Sequence, residues 1–214
     1  MTTLIHRIHL PSEANPARRV AAVVMLHGWR GDENVMWLFK QTIPLQVAIV
    51  APRAPLAVEA GGYSWFLRNG AELQPTPPAS LLDGLAQLDQ FLKQLPERYP
   101  IDPTRLVLLG FSQGASMGNS LVLSQPKRVM AVASLSGLLP DIIIANQAPQ
   151  LAGLPVFIAH GLRDEIVPLA AARQTREIYI RLGAQVTYGE YPTGHKMNVQ
   201  GMADLKKWLA QRVG

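Results

Sequence analysis

Leu106-Val107-Leu108-Leu109-Gly110-Phe111-Ser112-Gln113-Gly114-Ala115-Ser116-Met117-Gly118 is the stretch whose reading decides the fold. An apolar run of strand length leads directly into Gly-x-Ser-x-Gly, and small residues then open a helix. In that order the chain turns so sharply from strand to helix that the serine hydroxyl stands exposed above the sheet, as in a nucleophile elbow. Gly110 and Gly114 answer a steric demand, since side chains there would collide with the neighbouring strand and helix. The competing reading is an ordinary glycine-rich turn, in which Ser112 carries no chemistry.

Outward from the elbow, short β-type runs alternate with helix-type stretches. Strands are expected at Ile5–Leu10, Val20–Leu26, Val47–Ala51, Leu106–Leu109, Val129–Leu135, Val156–Ala159 and Val186–Tyr191. The central ones are continuous apolar runs, which suits parallel strands covered on both faces by crossover helices. Leu81, Leu85, Leu88, Leu92 and Leu95 mark an amphipathic helix that Pro96 and Pro100 are expected to end. Further helices are expected over Gln113–Ser124, Leu169–Leu182 and Met202–Arg212. The pattern predicts an α/β fold with a mostly parallel central sheet flanked by helices. Residues 52–80, rich in Pro and Gly, and residues 140–153 read as surface excursions leaving strand ends, where parallel sheets bind ligands.

A length of 214 residues suits a single domain spanning 1–214. Val20–Leu26, the longest uninterrupted apolar run, is far too short to cross a bilayer, and residues 1–20 contain no apolar signal core. With no cysteine, disulfides and thiolate nucleophiles are excluded. The missing signal and absent cysteines lead to an expected cytoplasmic location. The net charge of +5 is spread along the chain, with isolated pairs such as Arg18-Arg19 and Lys206-Lys207 and no basic run with interleaved aromatics, so nucleic acid is not an expected partner.

A serine hydroxyl needs a base to take its proton. Of the five histidines, His195 lies in the loop Tyr191-Pro192-Thr193-Gly194-His195, between the last strand and the last helix, and is the expected base. Asp164 follows the Val156–Ala159 strand and is the expected orienting acid, with Glu165 and the more distant Asp141 as alternatives. A carboxylate at 164 or 165 could otherwise pair with Arg163 or Arg173 at a helix start. The oxyanion formed on acyl attack needs backbone donors, expected from Gln113 and from Trp29 in Leu26-His27-Gly28-Trp29-Arg30-Gly31. His27 is expected to shape that loop and His160 to pack beneath the acid loop. His6 and His9 point to opposite faces of the first strand and make a poor metal pair.

Taken together, these pieces resemble the carboxylesterase/acyl-protein thioesterase group of α/β-hydrolases, also described as phospholipase/carboxylesterase-like. The resemblance runs from Leu26 to His195. It takes in Leu26-His27-Gly28, Gly31-Asp32-Glu33-Asn34, Pro52-Arg53-Ala54-Pro55, Trp65-Phe66, the elbow, Leu135-Ser136-Gly137, His160-Gly161 with Asp164 and Val167-Pro168, and Gly194-His195. It implies an α/β-hydrolase fold without a large cap domain, no cofactor or metal, a triad of Ser112, Asp164 and His195, and oxyanion donors at Trp29 and Gln113. Two departures stand out: Arg30, where many members have Gly, and Leu67-Arg68, where many have Asp soon after Trp-Phe.

Trp65, Phe66, Leu138, Val167 and Met197, with Trp29, Met36, Trp37 and Leu139, are expected to line an apolar acyl pocket, with about half of that set serving as core. The expected activity is a serine carboxylesterase on small or short-acyl esters, acting through an acyl-enzyme. The alternatives are an acyl-protein thioesterase or lysophospholipase on longer chains, with acylated protein as a partner, and a non-catalytic binding protein that keeps the fold. A peptidase is weaker, since 214 residues leave no room for an access-restricting domain. A homodimer completes the set of expected partners.

Overall fold

The computed structural model describes residues 4–59, 61–68, 77–145 and 150–213. Its main sheet has seven strands: β1 (His6–His9), β2 (Val20–Leu26), β3 (Ala48–Pro52), β6 (Ile101–Phe111), β7 (Ala131–Leu135), β8 (Pro155–Gly161) and β9 (Gln185–Tyr191). Their order is β1-β3-β2-β6-β7-β8-β9. Every pairing is parallel except that of the edge strand β1 with β3. A separate two-stranded ribbon is made by β4 (Leu56–Ala57) and β5 (Tyr63–Ser64).

Alternation along β2 shows how the sheet is covered. Ala22, Val24 and Leu26 enter one core with residues of α1 (Pro78–Arg98), α2 (Gln113–Ser124) and α4 (Leu169–Arg181). Ala21, Val23 and Met25 enter a second core with a 3₁₀ helix over Val35–Thr42 and with α5 (Val199–Val213). Both faces being dry, the buried stretches of the central strands are apolar apart from Ser134 and His160, which is the physical reason for their Val/Ile/Leu/Ala runs. The short α3 (Asp141–Ala145) lies in the second excursion.

Several boundaries move. Strand β6 begins at Ile101, well before Leu106, with a register irregularity against β2 that accommodates Pro103. Pro96 does not end the leucine-striped helix. It sits inside the last turn of α1, which runs to Arg98, and Tyr99 N–H donates to Leu95 O as the closing bond. Proline at that place forfeits a single intrahelical bond near the fraying end. Helix α5 starts at Val199 rather than Met202. In the long excursion, residues 60 and 69–76 lie outside the described set, while Leu56–Ala57 and Tyr63–Ser64 form the β4–β5 ribbon.

Candidate active site

Ser112 joins β6 to α2 with φ 53° and ψ −117°, a conformation rarely adopted by a residue with a side chain. Space explains why glycines flank it. A Cβ at Gly110 would run into Gly114 O and Ala115, and one at Gly114 into the carbonyls of Leu26 and His27. Ser112 N–H donates to Leu135 O at 2.8 Å, fixing the elbow to the end of β7. Its hydroxyl thus stands at the carboxyl ends of the central strands.

Two loops meet it from the β8–β9 side of the sheet. The loop after β8 carries Asp164 and the loop after β9 carries His195. They are stitched by Leu162 N–H to Tyr191 O (2.8 Å) and Arg163 N–H to Thr193 O (2.9 Å). A Cβ on Gly161 would strike Gly194 O, so the two loops approach as closely as backbone allows. The result is one hydrogen-bonded chain. Asp164 Oδ2 lies 2.8 Å from His195 Nδ1, and His195 Nε2 lies 2.9 Å from Ser112 Oγ. With a carboxylate at Nδ1, the imidazole carries its proton there and Nε2 is left to accept the serine O–H.

Asp164 has a side chain wholly shielded from solvent. Burial would push its pKa up, but the Val167 amide, His195 and the Ile166 amide together hold it below the ordinary aspartate value. Both amides donate to Oδ1 at 2.9 Å. Glu165 is exposed and Asp141 lies on α3, so neither alternative acid takes this place. Arg173 pairs with Glu190 instead of with the acid loop. His160 lies beneath, its Nε2–H donating to Val167 O at 2.8 Å and standing 3.4 Å from Asp164 Oδ2.

The loop after β2 passes close over the serine, a Cβ on Gly28 falling 3.3 Å from Ser112 Cβ. His27 shapes it. Ala54 N–H donates to Nε2 (3.0 Å), so the proton sits on Nδ1 and is donated to Gly28 O (2.7 Å). Burial depresses the pKa of His27, in keeping with a neutral ring that must accept at Nε2. The Trp29 and Gln113 amides make no hydrogen bond to another described residue. Gln113 is the first residue of α2, where helix geometry leaves N–H groups unmatched.

The ribbon braces both positions. Arg30 N–H donates to Tyr63 O (2.8 Å) and Tyr63 N–H to Gly31 O (2.9 Å), holding the Trp29 loop from the far side. The buried Gln113 side chain accepts from Trp65 N–H and donates to Phe66 O, both at 3.0 Å. Trp65 and Phe66 are therefore core residues rather than pocket walls, and the Trp65 indole N–H donates to His27 O at 2.8 Å. Apolar bulk combined with satisfied polar groups draws them inward. Leu138 and Val167 are also buried and are not among the residues lining the cavity beside the serine, which Met197 does line.

That cavity, of about 970 Å³, runs from Gly28 and Trp29 between the 3₁₀ helix and the start of α5. Met36 lines it, as do Val35, Leu38, Phe39, Phe111 and Met202, which the sequence reading did not select. Phe111 is also packed on the imidazole, its ring centroid 5.0 Å from that of His195. Its signal was visible in retrospect, as the residue immediately before the elbow serine. The two departures from the family pattern meet at Trp29, whose ring lies 5.7 Å from the Arg30 guanidinium and 4.8 Å from that of Arg68. Among the described residues no cluster of three or more His, Cys, Asp or Glu has metal-binding geometry, and no helix is long and apolar enough to cross a membrane.

Comparison with known proteins agrees with this architecture. Acyl-protein thioesterase 1 of Debaryomyces hansenii is 28% identical over 98% of this chain and 97% of its own length. Lysophospholipase-like protein 1 of Mus musculus is 27% identical, covering 100% of this chain and 96% of that protein. The crystal structure of esterase PE8 superposes with a TM-score of 0.83 at 26% identity, over 99% of this chain and 100% of that one. The family model described as phospholipase/carboxylesterase matches residues 11–213, and on that match across almost the whole length the chain belongs to the phospholipase/carboxylesterase family of α/β-hydrolases.

Proposed function

We propose that this chain is a serine hydrolase of carboxylic esters that works through an acyl-enzyme. The hydrogen-bonded run Ser112–His195–Asp164 beside two unengaged amides carries this reading. Ser112 Oγ attacks the ester carbonyl carbon as its proton passes to His195 Nε2, and Asp164 stabilises the imidazolium that forms. The amides of Trp29 and Gln113 receive the oxyanion, each worth roughly 3 kcal/mol of barrier. His195 then protonates the departing alkoxide or thiolate. Water attacks the acyl-serine by the same route in reverse and releases the acid.

The cavity bears on which ester. A short acyl group would leave most of about 970 Å³ of largely apolar space unused, which favours the longer-chain alternative, thioesters of acylated proteins and lysophospholipids included. Hydrolysis of p-nitrophenyl esters from acetate to palmitate tests both parts, with Ser112→Ala measured alongside. The expected optimum lies above butyrate, and the variant loses on the order of 10⁶-fold in turnover. An optimum at acetate would restore the short-acyl reading. Activity indifferent to Ser112→Ala would contradict the mechanism.

A further inference from the structure

The cavity beside Trp29 is apolar along its walls yet cationic at three points. Arg30, which is itself engaged through its Nε–H to Gly61 O, lines it together with Lys196 and Lys206, and among the described residues no aspartate or glutamate does. The carboxylates of the adjoining segments are committed elsewhere. Asp32 Oδ1 accepts the amides of Asn34 and Val35, and Glu33 takes Arg53 through both oxygens. Asp204 takes the Tyr191 hydroxyl and Gln200, and Asp164 is bound to His195. Among the described residues neither Lys196 nor Lys206 has a carboxylate within 4.0 Å.

The two lysines bracket the apolar span. Lys196 directly follows His195, while Lys206 lies on α5, seven residues beyond Val199. The rise from Val199 to Lys206 is roughly 10 Å along the helix. A neutral acyl chain would cover the apolar walls but make no use of the exposed positive charge of Lys206 at the cavity lining. A chain that ends in an anion satisfies both features, and the potential of a basic cleft raises its local concentration.

We propose that the preferred substrate is an ester or thioester whose acyl portion ends in a carboxylate or phosphate, bound at the Lys206 end of the cavity with an apolar segment between that anion and the scissile carbonyl. The proposal rests on the esterase reading above. The mono-p-nitrophenyl ester of suberic acid and p-nitrophenyl octanoate share chain length and differ in the terminal carboxylate, so their kcat/KM ratio isolates the anion. The carboxylated ester is expected to win by about threefold or more, through KM, as for a solvent-accessible ion pair. High salt erases that advantage. Lys206→Ala abolishes the ratio and Lys206→Arg restores it.

Equal use of the two esters, or a preference untouched by Lys206→Ala, overturns the proposal. So does a preference confined to esters whose anion is on the alcohol side. Calorimetric binding of the suberate and octanoate monomethyl esters to the Ser112→Ala protein reads the same site without turnover. Carboxylate-dependent binding in a protein that proves to be no esterase would sustain the anionic site and refute only the catalytic reading. Equal binding of the two would refute the site itself.

Discussion

At Ser112 the backbone holds a left-handed conformation with φ 53°, which costs a residue with a side chain on the order of 1–3 kcal/mol and persists only where the surroundings impose it. The surroundings here are the carbonyls packed against Gly110 and Gly114 and the bond from Ser112 N–H to Leu135 O. What the strain secures is a hydroxyl 2.9 Å from His195 Nε2. The role of Asp164 can be separated from its packing. Asp164→Asn keeps the shape but can present an N–H to His195 Nδ1, favouring the wrong tautomer, and turnover is expected to fall by about 10⁴-fold with little change in KM. A loss below tenfold in steady-state kinetics would assign Asp164 a structural part only. That Ser112, Asp164 and His195 would converge was legible in the sequence, because Ser112 and Asp164 each follow an apolar strand and His195 follows a glycine after the last strand, and the structure brings the three into hydrogen-bond reach. Trp65 and Phe66 were misjudged for a reason that also recurs: apolar bulk near a site in sequence does not tell a pocket wall from a core filler. Only the path of the chain places Val35 and Met202 on the cavity.

Among the elements, the β4–β5 ribbon links what the seven-stranded sheet does not. Its Tyr63 clasps the Trp29 loop, and the residues after it receive the Gln113 side chain, so both proposed oxyanion donors are held from one side. Strands of two residues have no detectable alternation, and a ribbon this short shows in sequence only as glycine and proline. The 3₁₀ helix over Val35–Thr42 was missed for a similar reason, since eight residues with Met36, Phe39 and Thr42 inward give fewer than three turns of a three-residue pattern. The bounds of α2 after the elbow, by contrast, were read to the residue, because the steric demand at Gly110 and Gly114 is absolute. Gly114→Ala drives a methyl group into Leu26 O, a backbone atom that cannot swing aside. It should cost more than about 2 kcal/mol in urea unfolding and reduce esterase activity with it. A Gly114→Ala protein as stable as its parent would mean that the elbow is looser than its packing implies.

For the molecule as a whole, the parallel sheet between two dry layers follows from continuous apolar strands, and for that reason the α/β architecture was legible before any coordinate. The matching family and the superposed esterase structure share it. Stability has an acid-sensitive component at the β9 edge. Hydrogen bonds from Arg173 and Tyr188 lower the Glu190 carboxyl from 4.5 to about 2. A carboxyl whose pKa is depressed on folding stabilises the fold fully above its unfolded value, and that contribution drains away as pH falls through the folded one. Thermal melts should therefore show a loss between about pH 4.5 and pH 2 that is smaller in Glu190→Gln. An identical acid profile in the two proteins would show that the pair contributes nothing.

Ser112 is the proposed nucleophile, and His195 activates it. Reaction with a fluorophosphonate, followed by mass mapping of the modified peptide, tests it in one measurement. One adduct per chain on Ser112, lost in His195→Ala, is the predicted result. No adduct, or an adduct on another serine that survives His195→Ala, would contradict it.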